Sequence, residues 1–149
     1  MKLRTYLLLL LIPFITGSFS IHPSLGETHN ITVKIRNIRS SKGRIQLQVY
    51  RTGESFAAET PYKVLYVSKK KMSKNALTYT IYGLKAGTYG LALLDDENAN
   101  KEMDYGLVMP KEGFGFSDYY HTSWSKPKFK QFEFSLTTNK SVGVKVRYM

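Results

Sequence analysis

The chain has 149 residues, with 22 lysines and arginines against 11 aspartates and glutamates, and no cysteine. The missing cysteine excludes disulfides, thiolate metal sites and a cysteine nucleophile. The formal charge of +11 suits anionic partners; no aromatic-basic nucleic-acid motif occurs, which leaves an anionic envelope component or a glycan as the expected partner class and not nucleic acid.

Lys2 and Arg4 precede an apolar run from Tyr6 to Ile15, and Gly17, Ser18 and Ser20 follow. This is the order of a secretory signal peptide, predicted here over 1–20 with cleavage after Ser20. The run falls well short of the roughly 20 residues needed to cross a bilayer as a helix. No transmembrane segment is therefore expected after cleavage, and the protein is predicted to be periplasmic or extracellular. Residues 21–29 are expected to form a flexible segment and 30–149 a single domain with one core.

Period-two alternation runs through the rest of the chain. Ile31, Val33 and Ile35 alternate with polar neighbours, Ser40–Gly43 supplies a turn, and Ile45, Leu47 and Val49 alternate again; the pattern predicts a hairpin with one buried face. Val64–Val67 reads as a short strand, followed by Lys69, Lys70, Lys71 and Lys74 at a turn or sheet edge, where lysines block unwanted pairing. Leu77, Tyr79 and Ile81 form the next strand. Gly83 and Gly87 are spaced for a tight turn into Tyr89, Leu91 and Leu93. After a long polar interval come Phe129–Leu136 and Val142–Tyr148, joined as a hairpin through Thr137–Lys140. About seven strands with turn signals between them predict an all-β antiparallel two-sheet sandwich, immunoglobulin-like or transthyretin-like, with a small barrel as the alternative.

The interval between the fifth strand and Pro127 carries the unusual chemistry. Residues 95–118 hold seven acidic side chains against Lys101 and Lys111 in an otherwise basic chain. Oxygen-bearing side chains recur at Asp96, Asn98, Asn100, Glu102 and Asp104, the alternation by which a curled loop points ligands at calcium. In a helix-flanked calcium loop the sixth position is glycine and the twelfth a bidentate glutamate; here they are Lys101 and Leu107. The same Asp and Asn residues also suit a cation-free loop in which side chains bond neighbouring backbone amides. Gly113-Phe114-Gly115-Phe116 reads as a backbone needing freedom at its glycines, with Phe114 and Phe116 capping one end of the core. Tyr119, Tyr120 and Trp124 lie in a predicted loop and are candidate ligand-stacking residues.

Enzyme constellations are absent from the pattern. Ser117, Asp118 and His121 are close in sequence without a nucleophile elbow, and His22 and His29 fall in the predicted flexible segment, so a histidine zinc site is not expected. Asp96 with Asp104, or Asp95 with Glu102, form the conceivable carboxylate pairs for a hydrolase.

Three motifs in order carry a family resemblance: Gly83-Leu84-Lys85-Ala86-Gly87-Thr88-Tyr89, then Asp95-Asp96-Glu97-Asn98-Ala99-Asn100, then Gly106 through Ser117 with its Pro110, Gly113, Gly115 and Phe116. The chain resembles the bacterial domain of unknown function 2141 family over residues 30–148. It departs from that family's pattern at Lys101, where the family has glycine, and at Asp95, where it has histidine. The resemblance implies a β-sandwich and an exported location, and no reaction. The expectation is a secreted, non-catalytic sandwich that binds a ligand or supports an envelope assembly through residues 95–125. Calcium binding through Asp96, Asn98, Asn100, Glu102 and Asp104, or a glycan-directed role, is the alternative, with a carboxylate hydrolase more remote.

Overall fold

A computed structural model describes residues 26–149, and the predicted signal segment 1–20 lies outside them. In chain order the elements are β1 (Thr28–Arg36), β2 (Arg44–Tyr50), the short helix α1 (Gly53–Ala57), β3 (Lys63–Ser68), β4 (Ala76–Lys85), β5 (Gly87–Asp96), β6 (Gly113–Phe116), β7 (Glu133–Leu136) and β8 (Lys140–Lys145). One sheet runs β4-β1-β8; the other runs β3-β2-β5-β6, and β7 pairs with the first residues of β5. The all-β two-sheet arrangement is the one the alternation predicts. Because β1 begins at Thr28, His29 lies inside a strand and is buried.

The core lies between the sheets. Ile31, Val33 and Ile35 from β1, Ile45, Leu47 and Val49 from β2, and Tyr89, Leu91 and Leu93 from β5 join Val142 and Val144 from β8 in one buried cluster. Each fully buried aliphatic side chain contributes about 1.5–3 kcal/mol relative to exposure, so the inward phase of each strand is strongly fixed.

Neither predicted hairpin forms. β1 pairs with β4 and β8, whereas β2 pairs with β3 and β5, so the chain crosses between sheets at 37–43. Asn37 turns it with φ 65° and donates Nδ2 to the Val146 carbonyl at 2.8 Å, while Ile38 is fully buried and donates its N–H to the Asn75 carbonyl. The link after β7 likewise crosses sheets, and β8 runs parallel to β1. Alternation dictates which face of a strand is buried. It is the same whether the next strand lies beside it or stacks across the core.

β6 forms within the interval expected to be loop. Its glycines serve close packing and not positive φ: a Cβ on Gly113 would lie 2.5 Å from Val146 Cγ1, and one on Gly115 2.7 Å from Val144 Cγ1. Phe114 and Phe116 consequently point away from the main core. Rather than capping an end, they join Tyr50, Phe56, Phe129 and Phe132 in a second cluster. The phase predicted for Phe132, Phe134 and Leu136 breaks there, because Phe132 leaves a 3-10 turn (Phe129–Gln131) for this cluster.

That second cluster covers part of the face of the β3-β2-β5-β6 sheet that points away from the core. The Thr52 side chain caps α1 by accepting the Ser55 N–H at 3.1 Å, which orients Phe56 edge-on to Phe132, centroids 4.9 Å apart. Such edge contacts add about 0.5–1.5 kcal/mol beyond burial. The uncovered remainder of this face is where the candidate site lies.

A cleft between the acidic loop and the Trp124 segment

β5 ends in two aspartates that alternation sends in different directions. Asp95 continues the inward phase of Tyr89, Leu91 and Leu93 and is fully buried. There it meets Lys69 Nζ in an ion pair whose side chains are both shut off from solvent. Lys69 also donates to the Ser40 and Lys42 carbonyls at 3.2 and 2.7 Å, and Tyr148 donates its hydroxyl to Asp95 Oδ2 at 2.5 Å. Burial pushes the Asp95 carboxyl above the usual range despite the opposing pull of Lys69 and Tyr148; burial, with Asp95 beside it, raises the Tyr148 hydroxyl. The predicted lysine cluster is thus divided: Lys69 is structural, while Lys70, Lys71 and Lys74 are exposed.

Asp96, also fully buried, accepts Arg44 Nε at 2.9 Å and the backbone N–H groups of Asn100 and Lys101 at 3.0 and 3.1 Å. Glu97 holds Arg39 through two bonds, Nε to Oε1 at 3.1 Å and a guanidinium nitrogen to Oε2 at 2.6 Å. The guanidinium pulls the Glu97 carboxyl below its ordinary value. Glu112, 4% exposed, closes the loop by accepting the N–H groups of Glu97 at 2.8 Å and Asp104 at 3.3 Å.

The five residues predicted as calcium ligands are largely bonded to one another and to their own backbone. Asn98 Oδ1 accepts the Asn100 N–H and Asn100 Oδ1 the Glu102 N–H. The two Asp104 oxygens accept the amide groups of Asn98 and Asn100, and the Glu102 side chain is exposed. Among the described residues, no three His, Asp or Glu side chains are grouped as a metal site would require. Lys101 adopts φ 76°, the backbone conformation that a glycine there would take without strain.

Beyond this scaffold, residues 104–111 fold back on themselves. The Lys111 N–H bonds the Asp104 carbonyl, and the Gly106 N–H bonds the Met109 carbonyl at 2.7 Å. The projecting tip carries Leu107 and Val108, both exposed. Facing it is segment 121–127, fixed from two sides. Arg147 donates to the carbonyls of His121 and Ser123 at 2.8 and 3.2 Å; Lys126 donates to the Phe56 carbonyl at 3.1 Å and pairs with Glu59 at 2.8 Å.

Between these walls is a cleft of about 650 Å³. Its floor is the outward face of the second sheet: Gln46 and Gln48 of β2, Ala92 and Leu94 of β5, Phe114 and Phe116 of β6. Met103, Tyr105, Val108 and Met109 line one wall, His121 and Trp124 the other. Tyr50 donates its hydroxyl to Gln48 Oε1 at 2.8 Å, and burial raises that hydroxyl to about 12. Gln46 Oε1 and His121 Nδ1 are buried with no hydrogen-bond partner among the described residues.

Of the predicted stacking residues, Trp124 lies on the cleft. Tyr119 instead packs against the second aromatic cluster and accepts Gln131 Nε2 at 2.9 Å, and Tyr120 sits under Lys145 Nζ, 4.6 Å from its ring centre. The structure does not gather the three into one platform. Gln46 and Gln48, which in β2 look like an ordinary solvent-facing phase, and Met103 and Met109, which have no periodic neighbours, also line the cleft with no signal in the sequence to mark them. The residues considered for catalysis are tied into the fold. Ser117 Oγ accepts the Leu91 N–H and donates to the Phe132 carbonyl, and Asp118 accepts the Gly143 N–H. Asp95 and Asp96 are ion-paired as described.

Fold and site together define an all-β sandwich domain with a braced cleft on the outer face of one sheet. Residues 33–144 match the family described as an uncharacterised protein conserved in bacteria, DUF2141, and the chain belongs to that family. No curated protein matches the chain, and no solved structure matches it. Among the described residues no helix is long and apolar enough to cross a membrane.

Proposed function

We propose that this is an exported, non-catalytic binding domain whose ligand occupies the cleft between residues 103–110 and 121–127. The observation that carries the proposal is the cleft itself, whose two walls are tied to the fold by separate anchors, buried Glu112 on one side and half-buried Arg147 with exposed Lys126 on the other. Preformed concave sites lined by apolar side chains with a few polar groups are the usual form of a small-ligand site. The acidic loop serves this site as a scaffold: its carboxylates engage Lys69, Arg44, Arg39 and backbone amides. Exposed Lys70, Lys71 and Lys74 supply a basic surface suited to docking on an anionic envelope component. Export follows from the predicted signal segment.

Trp124 is the only tryptophan in the chain, so its emission reports on the cleft. Addition of soluble bacterial envelope extract is expected to change that emission saturably in the wild type and not in Ala92→Tyr, which fills the floor. An unchanged spectrum in both proteins, or the same change in both, would remove the cleft from the account.

A further inference from the structure

Resting on the cleft as the binding site, we propose that its ligand is a neutral carbohydrate, an uncharged ring bearing several hydroxyl groups. Gln46 and His121 are 5% and 6% exposed, both line the cleft, and Gln46 Oε1 and His121 Nδ1 have no partner among the described residues. Buried polar atoms are almost always satisfied, and those that are not mark a place where something else supplies the bond. Gln48, two residues along the same strand, shows the contrast: its oxygen is satisfied by Tyr50.

The missing partner must suit either orientation of the Gln46 amide and either tautomer of His121, and a hydroxyl does so because it both donates and accepts. An acyl chain or a plain aromatic would bury both groups without a bond. Charge narrows the class further. Beside His121, the carboxylate and ammonium side chains lining the cleft are Glu59, Lys101, Glu102 and Lys126, two of each sign, and Glu59 pairs with Lys126; these four select no net charge. At the rims Trp124 is 77% and Tyr105 63% exposed. These are amphipathic ring faces of the kind against which the C–H face of a sugar packs while its hydroxyls reach the floor.

The test is titration of the full protein with uncharged glucan-, xylan- and chitin-derived oligosaccharides, followed by Trp124 emission and calorimetry, with Nile red as a neutral apolar probe. At least one sugar is expected to bind saturably. Gln46→Leu and His121→Phe are each expected to weaken it by roughly tenfold or more while melting no lower than wild type, since neither Gln46 Oε1 nor His121 Nδ1 has a partner among the described residues. If Nile red enters and no sugar does, the carbohydrate assignment is overturned while the cleft stands as a site. If neither probe moves Trp124, both fall. If a sugar binds and the two variants leave its affinity unchanged, the roles of Gln46 and His121 are overturned.

Discussion

Replacing Lys69 by Met should be among the most damaging single changes in this protein. Lys69 Nζ serves Asp95 and the Ser40 and Lys42 carbonyls, and its ion pair with Asp95 is closed to solvent on both sides, so water cannot take its place beside that carboxylate. Removing one member of a buried pair leaves an uncompensated charge and costs about 3–5 kcal/mol. That is a large part of the roughly 5–15 kcal/mol that stabilises an ordinary domain. At about 4 °C per kcal/mol for a chain of this size, the melting temperature should fall by roughly 12–20 °C. The sign of the pH dependence follows from Asp95, whose carboxyl burial already raises and which loses its cation in the variant. The folded state then binds the proton more tightly than the unfolded chain. The associated stability is complete below the unfolded value of about 3.9 and is lost as pH rises through the folded one. The deficit relative to wild type should therefore be largest near pH 7 and shrink towards about pH 4.5. Urea unfolding followed by far-ultraviolet circular dichroism at several pH values measures it, and Lys69→Met with Asp95→Leu should recover most of the loss. A cost below about 1 kcal/mol, or one equal at both pH values, would refute the reasoning.

Glu97→Gln should cost about 1 kcal/mol near neutral pH, discounted for the partly exposed Arg39. Because Arg39 lowers the Glu97 carboxyl, that contribution is present above the unfolded value of about 4.3 and disappears as pH falls through the folded value. Wild type and variant should therefore converge in acid, and denaturant curves that stay parallel would contradict it. Gly115→Ala should cost about 1–3 kcal/mol because its Cβ would lie 2.7 Å from Val144 Cγ1 and 3.0 Å from the Lys145 carbonyl oxygen; a melting temperature within a degree or so of wild type would show that β6 shifts freely. Millimolar calcium or its chelation should leave the melting temperature unchanged, since the acidic loop is organised by its own bonds; stabilisation approaching the roughly 2.7 kcal/mol expected at a hundred times the dissociation constant would restore the calcium reading of Asp96, Asn98, Asn100, Glu102 and Asp104.

Which residues face the core was legible from alternation alone: the inward sets of β1, β2, β4, β5 and β8 are those that period two picks out. Strand pairing was not, because face-to-face and side-by-side neighbours impose the same pattern, and the crossover is fixed by long-range bonds such as Asn37 to Val146. The acidic loop stood out by composition, and its backbone-organising role followed from Asp and Asn chemistry. The destinations of its acids did not, since Lys69, Arg44 and Arg39 lie 26 to 58 residues away in the chain. Gly113 and Gly115 looked like conformational glycines, yet space beside β8 and Tyr148 is what requires them. The floor of the cleft was hidden for a related reason. Gln46 and Gln48 occupy the polar phase that normally means solvent, and only the folded walls on either side turn that face into a site.

Amide hydrogen exchange of the full protein, with and without soluble envelope extract, tests the central claim most directly. The account predicts that exchange slows in both walls together, over residues 103–110 and 121–127, whether or not the basic segment Lys70–Lys74 slows as well. Protection confined to the lysine segment, or none in either wall, would contradict it.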